Sequence, residues 1–351
     1  MLCKKTALDT ALAVVAPGLT PNSYVILATS ITLHIADGVL YLISAPDDGE
    51  VWYSAKVGET TQSFPTVSVD GAKFTKAISY CGDAEVELTA TEDSLIIKNS
   101  KGTLKLPILV DDDTGEAAAH EFATPSGEEL TVQNLDQLKL LTGTLSKTMD
   151  SVAERCVYTD SEVSFGTDEI NISKGASLVS MPMLLSARMV DFCKKYSDVQ
   201  IFNAGDVFWF ISKEVGAAAR FSNVFQDFIP QFPLEGLKSE FEGGITNSVQ
   251  VNMADFMTSM QFLAIIADSA NDNSVTVSQE NPEELTLTCA DSVQKIPCKC
   301  IKSEDKPWSI SVDCLSAISR FGAYDGYVQL DVYGSMLACV GPVTTSIGII
   351  V

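Results

Sequence analysis

The stretch VDGAKFTKAISYCGDAEVELTATEDSLIIKNSKGTLKLPIL, residues 69–109, changes its apolar period part-way along. Asp70 stands where a helix N-cap would, and Phe74, Ala77, Ile78 and Cys81 follow the i, i+3, i+4, i+7 spacing of a helix with one buried face. Lys73 and Lys76, three apart, share the opposite face. After Gly82-Asp83 the period falls to two: Val86 and Leu88, Leu95 and Ile97, then Leu104 and Leu106, with turn residues between the runs. The stretch therefore predicts one helix followed by a small antiparallel meander.

The same order of features recurs along the chain. CKKTALDTALAVV precedes the strand-like SYVILAT, ITLHIA and VLYLISA; NLDQLKLLTGTLSKTM precedes CVYTD, EVSFGT and EINISK. SARMVDFCKKY leads into VQIFNA, VFWFISK and AAARFSN, and NMADFMTSMQFLAIIA into SVTVSQ, ELTLTCA and QKIPCKC. VDCLSAISRF, finally, is followed by GYVQLDV, MLACVG and TTSIGIIV. Six units taken in pairs predict three similar α+β domains, at residues 1–116, 117–240 and 241–351. The polar, acidic segment 110–129 and the Pro/Gly-bearing segment 229–244 read as solvated linkers between them.

Charge follows this organisation. The chain of 351 residues carries a formal net charge of −23, which by itself argues against nucleic acid. Yet the six helix windows hold ten of the 23 Lys and Arg and only six of the 46 Asp and Glu. Four of those acids, Asp70, Asp136, Asp255 and Asp313, lie at or near helix starts, where capping and the helix dipole account for them. Lys4, Lys5, Lys73, Lys76, Lys139, Lys147, Arg188, Lys194, Lys195 and Arg320 remain, opposed by Asp9 and Asp191. On one helix such residues would be a solvated face; on a set of helices within an acidic protein they suggest one shared surface.

Catalytic and metal motifs do not emerge. His34 lies in a strand pattern and His120 in the acidic linker, with no G-x-S-x-G and no Gly-rich phosphate loop near either. Cys298 and Cys300 are two apart in a strand-like run without a second pair, and nine scattered cysteines read as reduced core thiols. The reading is a non-enzyme that needs no cofactor or metal. No apolar run reaches the roughly 18 residues that span a bilayer, so a soluble, cytoplasmic protein is expected.

Six helix-plus-meander units with basic helices and acidic strands resemble a DNA sliding clamp of the bacterial type, the beta subunit of the replicative polymerase. The resemblance spans essentially the whole chain and is closest at TVSVDGAKFTKAI, MDSVAERCVY, ISKGASLVSMP and FLAIIADSANDNSVTV. It departs at the fifth helix, which has no basic residue, and at the ending SIGIIV, which lacks the Met-Pro-Met common in cellular members. These departures suggest a divergent, phage-type member acting in a bacterial cell or a phage-infected host.

The resemblance implies a closed ring with helices inside, built head to tail from two chains, encircling duplex DNA independently of sequence. It implies a processivity factor that tethers the replicative DNA polymerase, with a clamp-loader ATPase as a further partner. It places Arg155 beside the helical cations on the DNA-facing wall. Leu104, Leu106, Phe262, Ile265 and Ile266 would form the dimer interface. Tyr158, Gly175, Leu178, Phe228, Ile229, Ile347 and Ile349 would form a groove for partner peptides, and removing the last five residues is expected to abolish partner binding without touching the dimer. A β-rich repeat protein for binding or for a virion, without DNA encirclement, is the alternative; it leaves the basic helices unexplained.

Overall fold

The computed structural model describes residues 1–111, 115–133, 135, 138, 156–167, 171–231, 235, 239, 244–267, 273–303, 306–312, 315, 326–333, 336–340 and 346–350. In chain order, β1 (Leu2–Lys4) and α1 (Lys5–Val15) are followed by β2 (Ser30–Ala36), β3 (Val39–Ser44), β4 (Val51–Glu59) and β5 (Val67–Asp70). Next come α2 (Gly71–Ser79), β6 (Glu85–Ala90), β7 (Ser94–Asn99), β8 (Gly102–Pro107) and β9 (Glu128–Leu130). Then follow β10 (Cys156–Thr159), β11 (Val163–Thr167), β12 (Asn171–Ala176), β13 (Met183–Ser186) and α3 (Ala187–Lys195). β14 (Val199–Asn203), β15 (Val207–Ser212), β16 (Ala217–Ser222), β17 (Asn247–Asn252) and α4 (Met253–Ala264) continue the chain. β18 (Ser274–Asn281), β19 (Glu284–Cys289), β20 (Ser292–Lys302), β21 (Trp308–Ser311), β22 (Tyr327–Tyr333), β23 (Met336–Val340) and β24 (Ser346–Ile350) complete the described elements.

Two compact units divide the chain, Met1–Thr131 with Tyr196–Val224, and Val132–Lys195 with Phe225–Val351. In the first, β1-β6-β7-β8 form a four-stranded sheet and β5-β2-β3-β4-β16-β15-β14-β9 an eight-stranded one. In the second, twelve strands run in the order β13-β10-β11-β12-β24-β23-β22-β17-β20-β19-β18-β21. All described pairings are antiparallel, and the two that join strands farthest apart in sequence are β4 with β16 and β12 with β24. Each such join satisfies backbone groups that would otherwise be an exposed sheet edge.

Local chemistry explains the elements. Asp70 caps α2, its carboxylate accepting the Lys73 N–H at 2.8 Å, while Phe74 and Ile78 are fully buried beneath the helix. Asn252 caps α4 in the same way through the N–H groups of Ala254 and Asp255. Phe256, Met260 and Leu263 of α4 pack into a core with Val275, Leu285, Leu287, Ile310 and Leu330. In the first unit Leu8 and Leu12 of α1 are buried, and the helix lies on β3 and β4.

Four expectations require correction. SYVILAT is not a strand: Ser23 turns the chain by accepting the Val25 N–H, and residues 27–29 form a 3-10 turn. The first helix begins at Lys5, because residues 2–4 pair with β6 instead. Segment 110–129 is not simply solvated, since Phe122 and Ala123 pack against the apolar cluster around Trp52 and Trp209. Finally, β24 is paired on both sides, to β12 and β23, so removing the last five residues takes out an internal ladder rather than a free tail.

Candidate nucleic-acid and partner interfaces

Helical burial sorts the cations. On α2 the apolar face is inward, which leaves Lys73 68% exposed and Lys76 exposed beside it. Lys73 lies 3.7 Å from the Asp70 carboxylate, a surface pair of little energetic weight. On α3 Ala187, Met189, Val190, Phe192 and Cys193 are buried, so Asp191 and Lys195 are exposed on the outward face, with Arg188 and Lys194 half-buried. Partial burial pulls the Lys195 amine below its ordinary value. Lys5 is neutralised by Asp9 at 2.6 Å along α1. Lys4 belongs to β1 rather than to a helix, and lies in a shallow depression with Thr6, Glu85, Glu87 and Lys98. Lys139, Lys147, Arg155 and Arg320 fall outside the described residues. On α4 the exposed residues include Asp255 and Gln261 and no cation.

The expected groove residues fall into two sets within the second unit. Tyr158 on β10 pairs with Leu184 of β13. The Leu184 backbone is clasped by Gln226, whose amide accepts its N–H and donates to its carbonyl, both at 2.9 Å. Gln226 belongs to the 3-10 helix Val224–Gln231, on which Phe228 and Ile229 are half-buried, so this clasp fixes that helix against the strand beside Tyr158. The Tyr158 side chain is itself 4% exposed and donates to Asp160 at 2.9 Å. Burial first, and Asp160 second, push its hydroxyl up to about 12.

The other set follows the ladder. Gly175 pairs with Ser164, and Ile347 and Ile349 pair with Ser173 and Asn171, which gives these positions the same parity as Thr159 and Ser164. Leu178 is fully buried, and its N–H donates to the hydroxyls of both Thr159 and Ser164. Tyr158 has the opposite parity. The register thus gathers Gly175, Leu178, Ile347 and Ile349, and separates Tyr158 with Phe228 and Ile229.

The expected dimer residues also divide. Leu104 is 47% exposed on β8, which pairs only with β7 among the described strands, whereas Leu106 is 5% exposed and part of the core. Phe262, Ile265 and Ile266, at 54%, 79% and 38%, make an exposed apolar cluster at the C-terminal end of α4. Alongside that helix in the fold, residues 292–297 of β20 pair with β19 alone among the described strands. Sequence reasoning missed this second strand edge, although the exposed Val293 and Lys295 alternating along it are the edge signal to look for.

No family model and no curated protein matches the sequence. Solved structures do match, and they define the class of fold. A DNA polymerase sliding clamp from Bacillus subtilis agrees with a TM-score of 0.76 at 14% identity, over 99% of this chain and 97% of that one. The DNA polymerase III beta subunit from Thermotoga maritima gives 0.76 at 12%, covering 99% and 98%. The Helicobacter pylori beta clamp, solved with a DNA ligase peptide, gives 0.73 at 15%, covering 100% and 99%. The chain has the fold of the bacterial beta sliding clamps from end to end, and at these identities its sequence is divergent from theirs.

Proposed function

We propose that this chain is a DNA polymerase processivity factor, a sliding clamp that closes around duplex DNA and holds polymerase on it. The observation that carries this reading is agreement with clamp chains over at least 97% of their length. A partial or coincidental β-rich likeness would not extend so far.

In this reading residues 1–116, 117–240 and 241–351 are three clamp domains, and two chains join head to tail. Edge strand β8 of one protomer pairs with the open part of β20 in the next, and Leu104 meets Phe262, Ile265 and Ile266. Lys73, Lys76, Arg188 and Lys195, joined by Lys139, Lys147, Arg155 and Arg320, face phosphates without reading bases, which suits a ring that must slide. The acidic remainder keeps DNA off the outer wall. Polymerase and a loader ATPase dock short apolar peptides beside Gly175, Leu178, Ile347 and Ile349, as the ligase peptide in the Helicobacter pylori structure suggests. The role needs no catalysis, and its place is the cytoplasm of a bacterial or phage-infected cell.

Primer extension on a long singly primed circle tests the assignment. With the polymerase and loader of the source cell, added chain should lengthen the products of a single binding event. Unchanged product length would favour a repeat-built binding or virion protein instead.

A further inference from the structure

The connection after β8 does more than link two parts of the chain. Residues 117–123 lie across the face of the eight-stranded sheet opposite the one that α1 covers, as the alternation along β3 and β4 requires: Leu42, Tyr53 and Ala55 face inward, Tyr41 and Trp52 the other way. The segment is fastened at its start by the Ala118 N–H to the Leu109 carbonyl, at 3.0 Å. The His120 N–H then donates to the Thr32 hydroxyl of β2 at 3.0 Å, and its Nε2 lies 3.0 Å from the Leu27 carbonyl. Trp52 of β4 donates its indole N–H to the Glu121 carbonyl at 3.0 Å.

Phe122 fills the centre. Its ring stacks on His34 of β2 with centroids 4.8 Å apart and meets Tyr41 of β3, tilted by 40°, at the same distance, with Trp52 at 6.4 Å. Beyond it the stack continues across the β4–β16 join: Trp52 meets Trp209 of β15 edge-on at 5.6 Å, and the Arg220 guanidinium of β16 lies over both indoles. The strap therefore touches strands on one side of that join, and its aromatic anchor is continuous with strands on the other.

Both histidines of the chain belong to this device, one in the strap and one under its anchor. We propose that residues 117–123 form a releasable strap that braces the β4–β16 join, and that protonation of His34 and His120 unseats it. The Nε2 of His120 faces the Leu27 carbonyl, and its backbone meets Thr32. His34 faces Thr66 from the loop before β5, at 2.8 Å, Tyr41 from β3 and Phe122 from the strap. The charged groups on these elements are Asp37 near Tyr41, Lys56 opposite Tyr41, Glu59 at the end of β4 and 3.8 Å from Lys56, Glu121 in the strap and Arg220 over Trp52. Among the described residues no carboxylate pairs with either imidazole.

Burial pulls both imidazoles below their ordinary value of 6.5, and at His120 it outweighs the hydrogen bonds to the Leu27 and Ser30 backbones, which favour the charged form. A group depressed in the seated state stabilises that state above its unseated pKa and ceases to do so as pH falls through 6.5 toward the seated value. Each unit of depression corresponds to about a tenfold rise in the opening constant once the group is protonated. The inference concerns the first unit alone and stands whether or not the chain encircles DNA.

Hydrogen exchange of the full chain between pH 8 and 5.5, corrected for intrinsic rates, tests it. The amides of residues 118–122 should lose about tenfold or more protection over that range, and His34→Gln with His120→Gln should flatten the dependence. Phe122→Ala should leave the same amides unprotected at pH 8. Protection that does not change with pH, or that falls equally in the double Gln variant, overturns the proposal. Should the double variant not fold, titration of the two imidazoles by NMR decides: both must titrate below 6.5, and values at or above it overturn the switch.

Discussion

Asp70 does at the residue scale what the sequence asks of it. Its carboxylate accepts the Lys73 N–H, so one residue both starts α2 and sets which way the two lysines point. Asp70→Ala should lower stability by about 1 kcal/mol in a denaturant titration, the usual cost of a lost cap. Residues of this kind were legible because their signals are local: a cap, a 3.6-residue period, a turn. Leu106 and Phe122 were not. Leu104 and Leu106 have the same parity on one strand, and only the third dimension makes one exposed and the other buried. Phe122 stands in a polar, acidic run, and its place depends on aromatic residues some 70 to 90 positions away, at His34, Tyr41, Trp52 and Trp209.

At the element scale, periodicity found the four described α-helices and most strands, because an amphipathic helix and a half-buried strand write different periods into the chain. β4, β17 and the short strands β1, β5, β9, β13 and β21 were passed over between stronger runs, and SYVILAT was read as a strand on β-propensity that Ser23 and the 3-10 turn override. The helical cations give this scale its prediction. If α2 faces phosphates, Lys73→Glu with Lys76→Glu should flatten the dependence of log affinity on log salt by about two in DNA binding, roughly one for each lost contact. Helix content should stay the same, since both side chains are exposed. An unaltered salt slope in a folded variant would place α2 away from DNA.

For the whole molecule, the six repeats led to the clamp fold, whereas the antiparallel joins β4–β16 and β12–β24 emerge only from the structure. Strand pairing over such separations leaves no local mark, so which strands join had to come from the structure. Assembly is the next step at this scale. Leu104→Asp combined with Ile266→Asp should convert a dimer to monomers in sedimentation, because a charge buried at a seam costs several kcal/mol. A dimer that survives both changes would move the interface elsewhere.

Encirclement is the central claim, and topology tests it most directly. The chain, loaded by its own ATPase onto a nicked DNA circle, is passed through a sizing column before and after the circle is cut once. The account predicts that it travels with the closed circle and is lost from the linear form while the DNA mass stays the same. Equal retention on both forms, or retention on neither, would contradict it.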